Sequence, residues 1–267
     1  MKERLRLSLT IQLAAVKAAS LVLGSMALRN RFIQAYFNFI YNPVYDLTTG
    51  RLNGYRKLLR RCTGKLKLCG NDSILCVGLG TGNELEHLLK KNSRVRIVGV
   101  DLSRNALKTA YRKGLRIGAQ IETMAMDAEN LTFPDSSFDK VICIHVMDFI
   151  DDPERATAEI LRVLREGGEF LITYPSAKEG RKLGINILRE SIKHRRDLGQ
   201  NRARAVLLSI GQLVMGMVYL PIMLRPNTTV YSNRTLQNLV SGFTGEFRIE
   251  EYPDYCDFIV YGRKSVP

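Results

Sequence analysis

The sequence lacks the cysteine and histidine patterns that mark disulfide-rich and metal-binding proteins. Its five cysteines include no CxxC pair, and its three histidines include no two at the spacing of metal ligands. An odd cysteine count without such spacing favours reduced, mostly buried thiols in a cytosolic compartment, and a zinc site is not expected. Internal repeats and low-complexity tracts are also missing. At 267 residues the chain is long enough for one large core, or for one domain with a substantial appendage.

Acidic residues are scarce in three segments of this basic chain, whose net charge is +14. Residues 1–31, 51–69 and 180–205 hold 21 of the 40 Lys and Arg residues but only 3 of the 26 Asp and Glu residues. The rest of the chain has 19 basic and 23 acidic residues, so a mildly acidic core carries basic flanks. Such flanks attract phosphate, either of nucleic acid or of anionic lipid.

The first 30 residues superficially resemble a secretory signal, with a basic start and an apolar middle. Lys17 interrupts the apolar part, so a helix that lies on a membrane or on the protein's own core is the better interpretation. Helices are expected over 5–28 and 31–41. Residues 1–70 are therefore predicted to be a basic helical region that acts as a lid or contacts a membrane.

From residue 71 onward the chain alternates between apolar runs and helical segments, which predicts one doubly wound α/β domain over 71–267. The sheet is expected to be mostly parallel and seven-stranded. The predicted strands are 73–77, 94–101, 120–127, 140–146, 169–175, 247–253 and 256–264. The predicted helices are 83–91, 103–114, for which Ser103 is a plausible cap, and 152–168, ended by glycine.

Residues 176–235 break this alternation and form a helical insertion before the last two strands. A basic amphipathic part is followed by an uncharged run of 20 residues, 205–224. That length nominally allows a membrane span, but glycines, Ser209, Gln212 and Pro221 weaken this interpretation. The run can instead dip into one leaflet or cap an apolar pocket, or it can be a helix of the core.

Three glycines follow the first predicted strand, in "GLGTG" (78–82). Glycine lets the backbone approach a ligand closely, although turns also collect glycines. A dinucleotide-binding loop has the spacing GxGxxG, and here the third glycine comes one residue too early. Asp101 and Asp127 end the next two predicted strands at the same sheet edge, where an acidic side chain can accept hydrogen bonds from ribose hydroxyls. Together the three features indicate a nucleotide-like cofactor.

Four segments resemble, in order, the motifs of class I S-adenosylmethionine-dependent methyltransferases: "ILCVGLGTG", "VGVDLS", "MDAENLTFPDSSFDKVICIHV" and "AEILRVLREGGEFLITYP". The resemblance covers about residues 73–175. It implies a Rossmann-like methyltransferase fold with S-adenosylmethionine as the cofactor. The cofactor-binding residues it implies are Tyr45, Gly78, Leu79, Gly80, Gly82, Asp101, Leu102, Asp127, Ala128 and Ile144.

The same resemblance implies a role for each part of this set. The glycines would line the methionine and ribose portion of the cofactor. Asp101 would hold the ribose hydroxyls, with Leu102 against the adenine. Asp127 would hydrogen-bond the adenine amine, with Ala128 beside it. Ile144 and His145 would lie near the methionine end and the methyl group.

The sequence departs from the family pattern at two positions of the glycine loop. The family often has an acidic residue where Cys76 stands, and a small residue or cysteine where Leu79 stands. Neither departure removes a main cofactor contact. Tyr41, Tyr45 and Asp46 precede the core, as in family members whose N-terminal helix closes over the cofactor, so Tyr45 is expected to be a lid residue or an ordinary packing tyrosine.

His145 and Asp148, in "HVMDF", are the candidate catalytic residues. The sulfonium of the cofactor is already activated, so a methyltransferase mostly aligns the acceptor and excludes water. For an amine or phenol acceptor, one base suffices, and either residue could supply it or position the acceptor. The competing interpretation is that His145 is a buried strand residue with a structural hydrogen bond.

The basic helices and the apolar, Met-rich insertion favour a lipid-like acceptor at an anionic membrane surface. The sequence is similar to both the ubiquinone/menaquinone C-methyltransferases and the bacterial phospholipid N-methyltransferases. We therefore expect a cytoplasmic protein bound peripherally to the inner face of the membrane. The alternatives are a methyltransferase acting on a soluble molecule or on RNA, and a non-catalytic binding protein on the same fold. Nucleic acid is disfavoured because Leu and Ile, rather than aromatic residues, interleave the basic segments.

Overall fold

The computed structural model describes residues 45–46, 53–176, 189, 192–193, 195–216, 231–244, 246–253 and 257–265. The expected helices over 5–28 and 31–41 lie outside these residues, as do Tyr41 and the second part of the apolar run, 217–224. The structure therefore bears on the sheet, on its flanking helices and on a part of the insertion.

Seven strands form one sheet in the order β3-β2-β1-β4-β5-β7-β6. All neighbours are parallel except β7, which is antiparallel to both β5 and β6. The strands are β1 (Ser73–Val77), β2 (Arg96–Asp101), β3 (Gln120–Ala125), β4 (Phe138–Cys143), β5 (Leu164–Pro175), β6 (Glu246–Tyr252) and β7 (Asp257–Arg263). The prediction of a doubly wound, mostly parallel, seven-stranded sheet is confirmed.

The described helices are α1 (Asn53–Lys65), α2 (Leu85–Lys91), α3 (Arg104–Arg116), α4 (Pro153–Val163), α5 (Arg202–Gly216) and α6 (Asn233–Ser241). Ser103 caps α3 as predicted, since its side chain accepts a hydrogen bond from the Ala106 N–H at 3.2 Å. This bond satisfies one of the N–H groups that a helix start leaves without an internal partner.

Both faces of the central strand β1 are buried, which is why its sequence is uniformly apolar after Ser73. Leu75 and Val77 pack into the apolar cluster on one side of the sheet. Ile74 and Cys76 pack into a second cluster on the other side, with α1, α2 and α3. The sheet is thus sandwiched between helices, so that its strand ends are left to form a site.

Several predicted boundaries are wrong, and two of these differences have a clear structural reason. The helix predicted over 152–168 ends at Val163, because Leu164 already pairs with Phe138 in the sheet. Gly167 then adopts a φ of +70°, in an irregular stretch before β5 resumes its pairing with β4. Gly167 therefore lies within β5, where it bends the strand, and does not end the helix.

The strand predicted over 140–146 is instead β4, Phe138–Cys143. It stops before His145, whose φ of +57° lies in the left-handed region and breaks the extended backbone. Met147–Phe149 then form one turn of 3₁₀ helix. Ile144 and His145 therefore lie in a loop after the strand, which places them at the strand-end edge of the sheet.

Helix α5 contains the described part of the uncharged insertion run, residues 205–216. Ala205 and Ser209 are buried, whereas Leu207, Leu208 and Ile210 are exposed. Over residues 205–210 the helix thus packs with one narrow stripe and presents apolar side chains outward. Within the described part of the chain, no helix is long and apolar enough to cross a membrane.

Candidate active site

A cavity of about 230 Å³ opens where β1, β2 and β4 end. The strand order reverses between β1 and β4, because the chain first adds β2 and β3 on one side and then β4 and β5 on the other. Open α/β sheets bind ligands at such a reversal, outside the carboxyl ends of the strands. The loops that follow the three strands therefore supply the lining.

The glycine loop after β1 forms one wall, and each of its three glycines has a positive φ. At Gly80 an added Cβ would meet nothing closer than 3.9 Å, so the missing side chain leaves open space at this wall. At Gly78 an added Cβ would lie 2.1 Å from a methyl group of Val146, the residue that faces it across the cavity edge. Both positions exclude side chains, one to keep the cavity open and the other to let two loops meet.

Gly82 has a different structural role from the other two glycines of the loop. An added Cβ there would lie 2.7 Å from Leu85 and 3.0 Å from the side chain of Ala110. Gly82 is also absent from the cavity lining. The third glycine thus allows α2 and α3 to pack together and does not line the site.

Asp101 forms the rim of the cavity beside this loop. Its carboxylate accepts hydrogen bonds from the Gly80 N–H at 2.8 Å and from the Ser103 N–H at 2.7 Å. Burial raises the pKa of Asp101, and these two backbone donors act against that rise. A carboxylate has about four acceptor positions, so two remain for a ligand. Leu102, next to it, lines the cavity with 52% of its surface exposed, which gives a flat apolar ligand something to lie against.

Asp127 and Ala128 line the cavity beyond the end of β3. The Asp127 carboxylate accepts a hydrogen bond from the Glu129 N–H at 3.0 Å and is otherwise exposed. Ala128 is buried beneath it. Asp127 lies two residues past the strand, not at its last residue as predicted, because β3 ends at Ala125.

The surroundings of Leu79 and Cys76 explain how the fold tolerates these two departures from the family pattern. Leu79 is buried and packs over Gly99 of β2, where an added Cβ would lie only 2.1 Å from the leucine side chain. The Leu79 side chain thus fits in the loop because the neighbouring strand has a glycine, with no side chain, at position 99. Cys76 is fully buried behind the loop, and burial raises the pKa of its thiol well above the usual value, so it stays uncharged.

Asp46 fastens the segment before α1 to the glycine loop. Its carboxylate accepts hydrogen bonds from the Thr81 hydroxyl at 2.6 Å and from the Asn83 amide at 3.2 Å, and pairs with the Lys113 ammonium at 2.7 Å. Tyr45, the preceding residue, lines the cavity. The tyrosine expected to be a lid residue is therefore held at the site by its neighbour.

His145 lies on the opposite wall, after β4. Its backbone N–H donates to the Thr173 hydroxyl at 2.9 Å, which fixes the strained loop. Its Nε2 lies 2.9 Å from an oxygen of Asp257, and its Nδ1 lies 4.0 Å from an oxygen of Asp148. Burial lowers the pKa of His145, but the two carboxylates, Asp257 above all, outweigh burial and raise it overall.

Asp148 belongs to the same group of charges without lining the cavity. Burial raises the pKa of Asp148 to about 6; His145 lowers it and Asp257 raises it further. The carboxyl group is therefore mainly ionised at neutral pH. His145 thus stands between two carboxylates, an arrangement typical of a group that accepts and releases protons.

The cavity brings together most of the predicted site residues: Tyr45, Gly78, Leu79, Gly80, Asp101, Leu102, Asp127, Ala128, Ile144 and His145. Gly82 and Asp148 lie behind the lining. Sequence reasoning missed three residues: Asp257, Tyr55 and Glu84. Tyr55 packs edge-on against both Tyr45 and His145, with ring centres 5.9 and 5.5 Å apart, and so joins the two walls. Of these three, only Glu84 had a signal in the local sequence, because it is an acidic residue two positions after the glycine loop.

Comparisons with known proteins agree with this architecture. Residues 75–172 match the family described as "Methyltransferase domain". The chain is 33% identical to phosphatidylethanolamine N-methyltransferase of Cereibacter sphaeroides over 138 residues, 51% of this chain and 65% of that protein. It is 32% identical to a ubiquinone/menaquinone biosynthesis C-methyltransferase of Desulfotalea psychrophila over 111 residues, 41% of this chain and 44% of that protein. The matched segment thus spans about two thirds of the first relative's length and less than half of the second's.

A solved structure shows the same fold over most of the chain. A SAM-dependent methyltransferase from Aquifex aeolicus superposes with a TM-score of 0.52 at 16% identity, over 86% of this chain and 97% of that one. At that identity the likeness concerns the fold alone. Residues 75–172 thus match a methyltransferase domain, and the described sheet has the Rossmann-like fold of solved S-adenosylmethionine-dependent methyltransferases.

Proposed function

We propose that this protein transfers a methyl group from S-adenosylmethionine to a lipid-like acceptor at a membrane surface. The observation that carries the proposal is the two-sided cavity at the β1/β4 reversal. One wall holds the glycine loop and the carboxylates of Asp101 and Asp127, and the other holds His145 paired with Asp257. A cofactor wall and an acceptor wall, where the proton of the acceptor would be taken up, thus share one cavity.

The residues of the first wall fit S-adenosylmethionine. The open space at Gly80 leaves room for a chain-like methionine portion, and the remaining acceptor positions of Asp101 suit two ribose hydroxyls. Exposed Leu102 suits the face of an adenine, and the Asp127 carboxylate suits its amine. When bound, the cofactor supplies a methyl group already activated by a sulfonium centre.

The residues of the second wall would prepare the acceptor. The neutral imidazole of His145 would take the proton of the acceptor, with an oxygen of Asp257 2.9 Å from its Nε2. Asp257 then stabilises the imidazolium that forms, as the buried carboxylate of a catalytic triad does. Tyr45 and Tyr55 would cover the site and exclude water.

An amine-bearing phospholipid headgroup is the acceptor that the charges favour. Two carboxylates, of Asp148 and Asp257, flank His145, and Asp148 is mainly ionised at neutral pH. Such a group attracts an ammonium and then accepts the proton that an amine must lose before it attacks a methyl group. The similarity to the phosphatidylethanolamine N-methyltransferase of Cereibacter sphaeroides supports the same choice.

A quinol ring is the second candidate acceptor. The similarity to a ubiquinone/menaquinone biosynthesis C-methyltransferase favours it. Methylation of a ring carbon also begins with removal of a proton, from a phenolic hydroxyl, which His145 could accept in the same way. The two candidates thus need the same base and differ in the molecule that it deprotonates.

The membrane part of the proposal is supported by the insertion. Leu207 and Ile210 are exposed on α5, directly after Arg202 and Arg204, which are exposed as well. Apolar side chains beside exposed basic ones are typical of helices that lie in a membrane interface with anionic headgroups. A single charge introduced into the apolar part should then weaken the attachment.

The proposal is tested with the purified chain, labelled S-adenosylmethionine and two kinds of vesicle, which contain phosphatidylglycerol with either phosphatidylethanolamine or phosphatidylcholine. We expect the protein to float with both, and a mass gain of about 14 Da per methyl group only on phosphatidylethanolamine. Leu207→Asp should reduce flotation, whereas Leu115→Asp, at a similarly exposed leucine of α3, should not.

The outcomes separate the alternatives. A methylated quinol in a lipid extract, without methylated phosphatidylethanolamine, would select the second acceptor. Methylated RNA without a lipid product would overturn the lipid proposal. Cofactor binding without turnover on lipids or RNA would show a binding protein on the methyltransferase fold.

A further inference from the structure

Glu84 is a buried carboxylic acid that the proposed chemistry does not use. It follows the glycine loop, directly before α2, and lines the cavity with only 7% of its surface exposed. Its carboxylate accepts a hydrogen bond from its own backbone N–H. Among the described residues, no other group makes a hydrogen bond or an ion pair with its side chain. A buried carboxylate whose one donor is its own backbone N–H is poorly compensated, so it suits a cationic ligand in the cavity.

The groups that face Glu84 from each neighbouring element do not neutralise it. Lys113 of α3 attracts its charge, but the Lys113 ammonium is engaged with Asp46 at 2.7 Å and with Asn83 at 3.1 Å. Asp101 of β2 repels it. Burial accordingly raises the pKa of Glu84 to about 7, with Lys113 acting against this rise and Asp101 adding to it.

The remaining neighbours are groups that stay uncharged. Tyr55 of α1, Cys76 of β1 and Cys143 of β4 all lie within electrostatic range of Glu84, and burial raises the pKa of each. Cys76 stands where the family often has an acid, and its buried thiol cannot hold a negative charge there. The carboxylates of Asp101 and Asp46 at the glycine loop are engaged with backbone and side-chain donors, so Glu84 is the acid at this end of the cavity that is left for a ligand cation.

We infer that Glu84 pairs with the α-ammonium group of the methionine portion of the cofactor. The ligand of the proposed function carries this cation at the end that would lie along the glycine loop, and Glu84 lines that part of the cavity. A carboxylate in a poorly solvated pocket stabilises an ammonium more strongly than one in water does. The inference rests on the proposed cofactor and goes beyond it, because it assigns the ammonium to a residue outside the glycine motif.

Ligand binding to the purified chain tests the inference without turnover. The ligands are S-adenosylhomocysteine, which has the ammonium, and 5′-methylthioadenosine, which lacks the amino-acid end. At pH 8 we expect Glu84→Gln to weaken S-adenosylhomocysteine binding about tenfold or more and to leave 5′-methylthioadenosine binding within about twofold. Glu86→Gln, on the exposed side of α2, should change neither affinity.

A second measurement uses the unaltered chain, so it does not depend on how the variant folds. An ammonium favours the ionised form of Glu84, so binding should release a proton when the free carboxyl is protonated. The affinity for S-adenosylhomocysteine should therefore fall as the pH drops through about 7, and calorimetry in buffers of different ionisation enthalpy should detect the proton. The affinity for 5′-methylthioadenosine should stay constant over the same range.

The outcomes distinguish this inference from the proposed function. If the wild type binds neither ligand, the proposed cofactor itself is wrong. If the wild type binds both but releases no proton, or if Glu84→Gln weakens both ligands equally, the assignment of the ammonium to Glu84 is wrong and the cofactor stands.

Discussion

The two walls of the cavity are built in different ways. In the cofactor wall, Asp101 and Asp127 are each held by backbone N–H groups close to them in the chain or in the adjoining loop. In the acceptor wall, His145 is held by the Thr173 hydroxyl of β5 and by the carboxylate of Asp257, at the start of the distant strand β7. The first wall depends on local backbone geometry and the second on the assembled sheet, so each can be disrupted without the other.

The largest effect is expected from Asp101→Ala, which breaks the cofactor wall. The change removes the proposed ribose acceptor and leaves the Gly80 and Ser103 N–H groups without their carboxylate. We expect S-adenosylhomocysteine binding to weaken about 100-fold or more, and turnover to disappear with it. Calorimetry measures the loss, and Glu122→Ala, at an exposed residue of β3, is the control. Unchanged affinity would disprove the placement of the cofactor.

His145→Gln should break the acceptor wall alone. Loss of a general base typically lowers kcat about 10²- to 10⁴-fold, while the affinity for S-adenosylhomocysteine should change less than about threefold. Steady-state kinetics and calorimetry on the same sample separate the two effects. His87→Gln, at a half-buried histidine of α2 outside the cavity, should leave both quantities unchanged. A loss of affinity equal to the loss of kcat would mean that the walls are not separable.

Asp257→Asn should test, through the pH dependence of kcat, whether His145 is the base. The base must be neutral, and its carboxylate neighbours raise its pKa above 6.5, so wild-type kcat should rise as the pH increases through that raised value. The asparagine removes the main cause of the rise, and burial then lowers the pKa. We expect a smaller maximal kcat and an acidic limb displaced to lower pH. A limb that does not move would mean that another group is the base.

The strands and the cofactor wall could be predicted largely from the sequence because their signals are local. Strand β1 matches its predicted bounds of 73–77, and Ser103 caps α3 as expected. A fully apolar run between turn residues identifies a strand buried on both faces, and a strand end fixes where the next polar residue must lie. Asp101 was predictable for that reason.

The acceptor wall could not be predicted in the same way. Asp257 reaches His145 only because β7 inserts antiparallel between β5 and β6, and no spacing in the sequence encodes that contact. Tyr55 was hidden because a tyrosine in a basic helix has many possible neighbours. The positive φ of His145, which ends β4 early, arises from loop contacts rather than from the apolar run that precedes it.

The smallest effect is expected from Asp46→Ala, which releases the segment that carries Tyr45 and leaves the carboxylates and the histidine of the two walls in place. Its partners Asn83 and Lys113 are partly exposed, whereas the Thr81 hydroxyl is buried and loses its acceptor. A partly exposed ion pair such as that of Asp46 with Lys113 contributes about 0.2 to 1 kcal/mol. We expect the affinity for S-adenosylhomocysteine to fall about two- to fivefold, mainly through faster dissociation. Stopped-flow kinetics measures this, and an unchanged dissociation rate would mean that the segment is not a lid.

The most direct test of the central claim is calorimetric titration of the wild-type chain with S-adenosylmethionine at pH 8. A cavity that unites a cofactor wall with an acceptor wall predicts saturable one-to-one binding of S-adenosylmethionine, with a Kd between about 1 μM and 1 mM. Absence of binding up to about 1 mM, with a thermal melting temperature that the ligand does not change, would contradict the assignment of this cavity to a methyl donor.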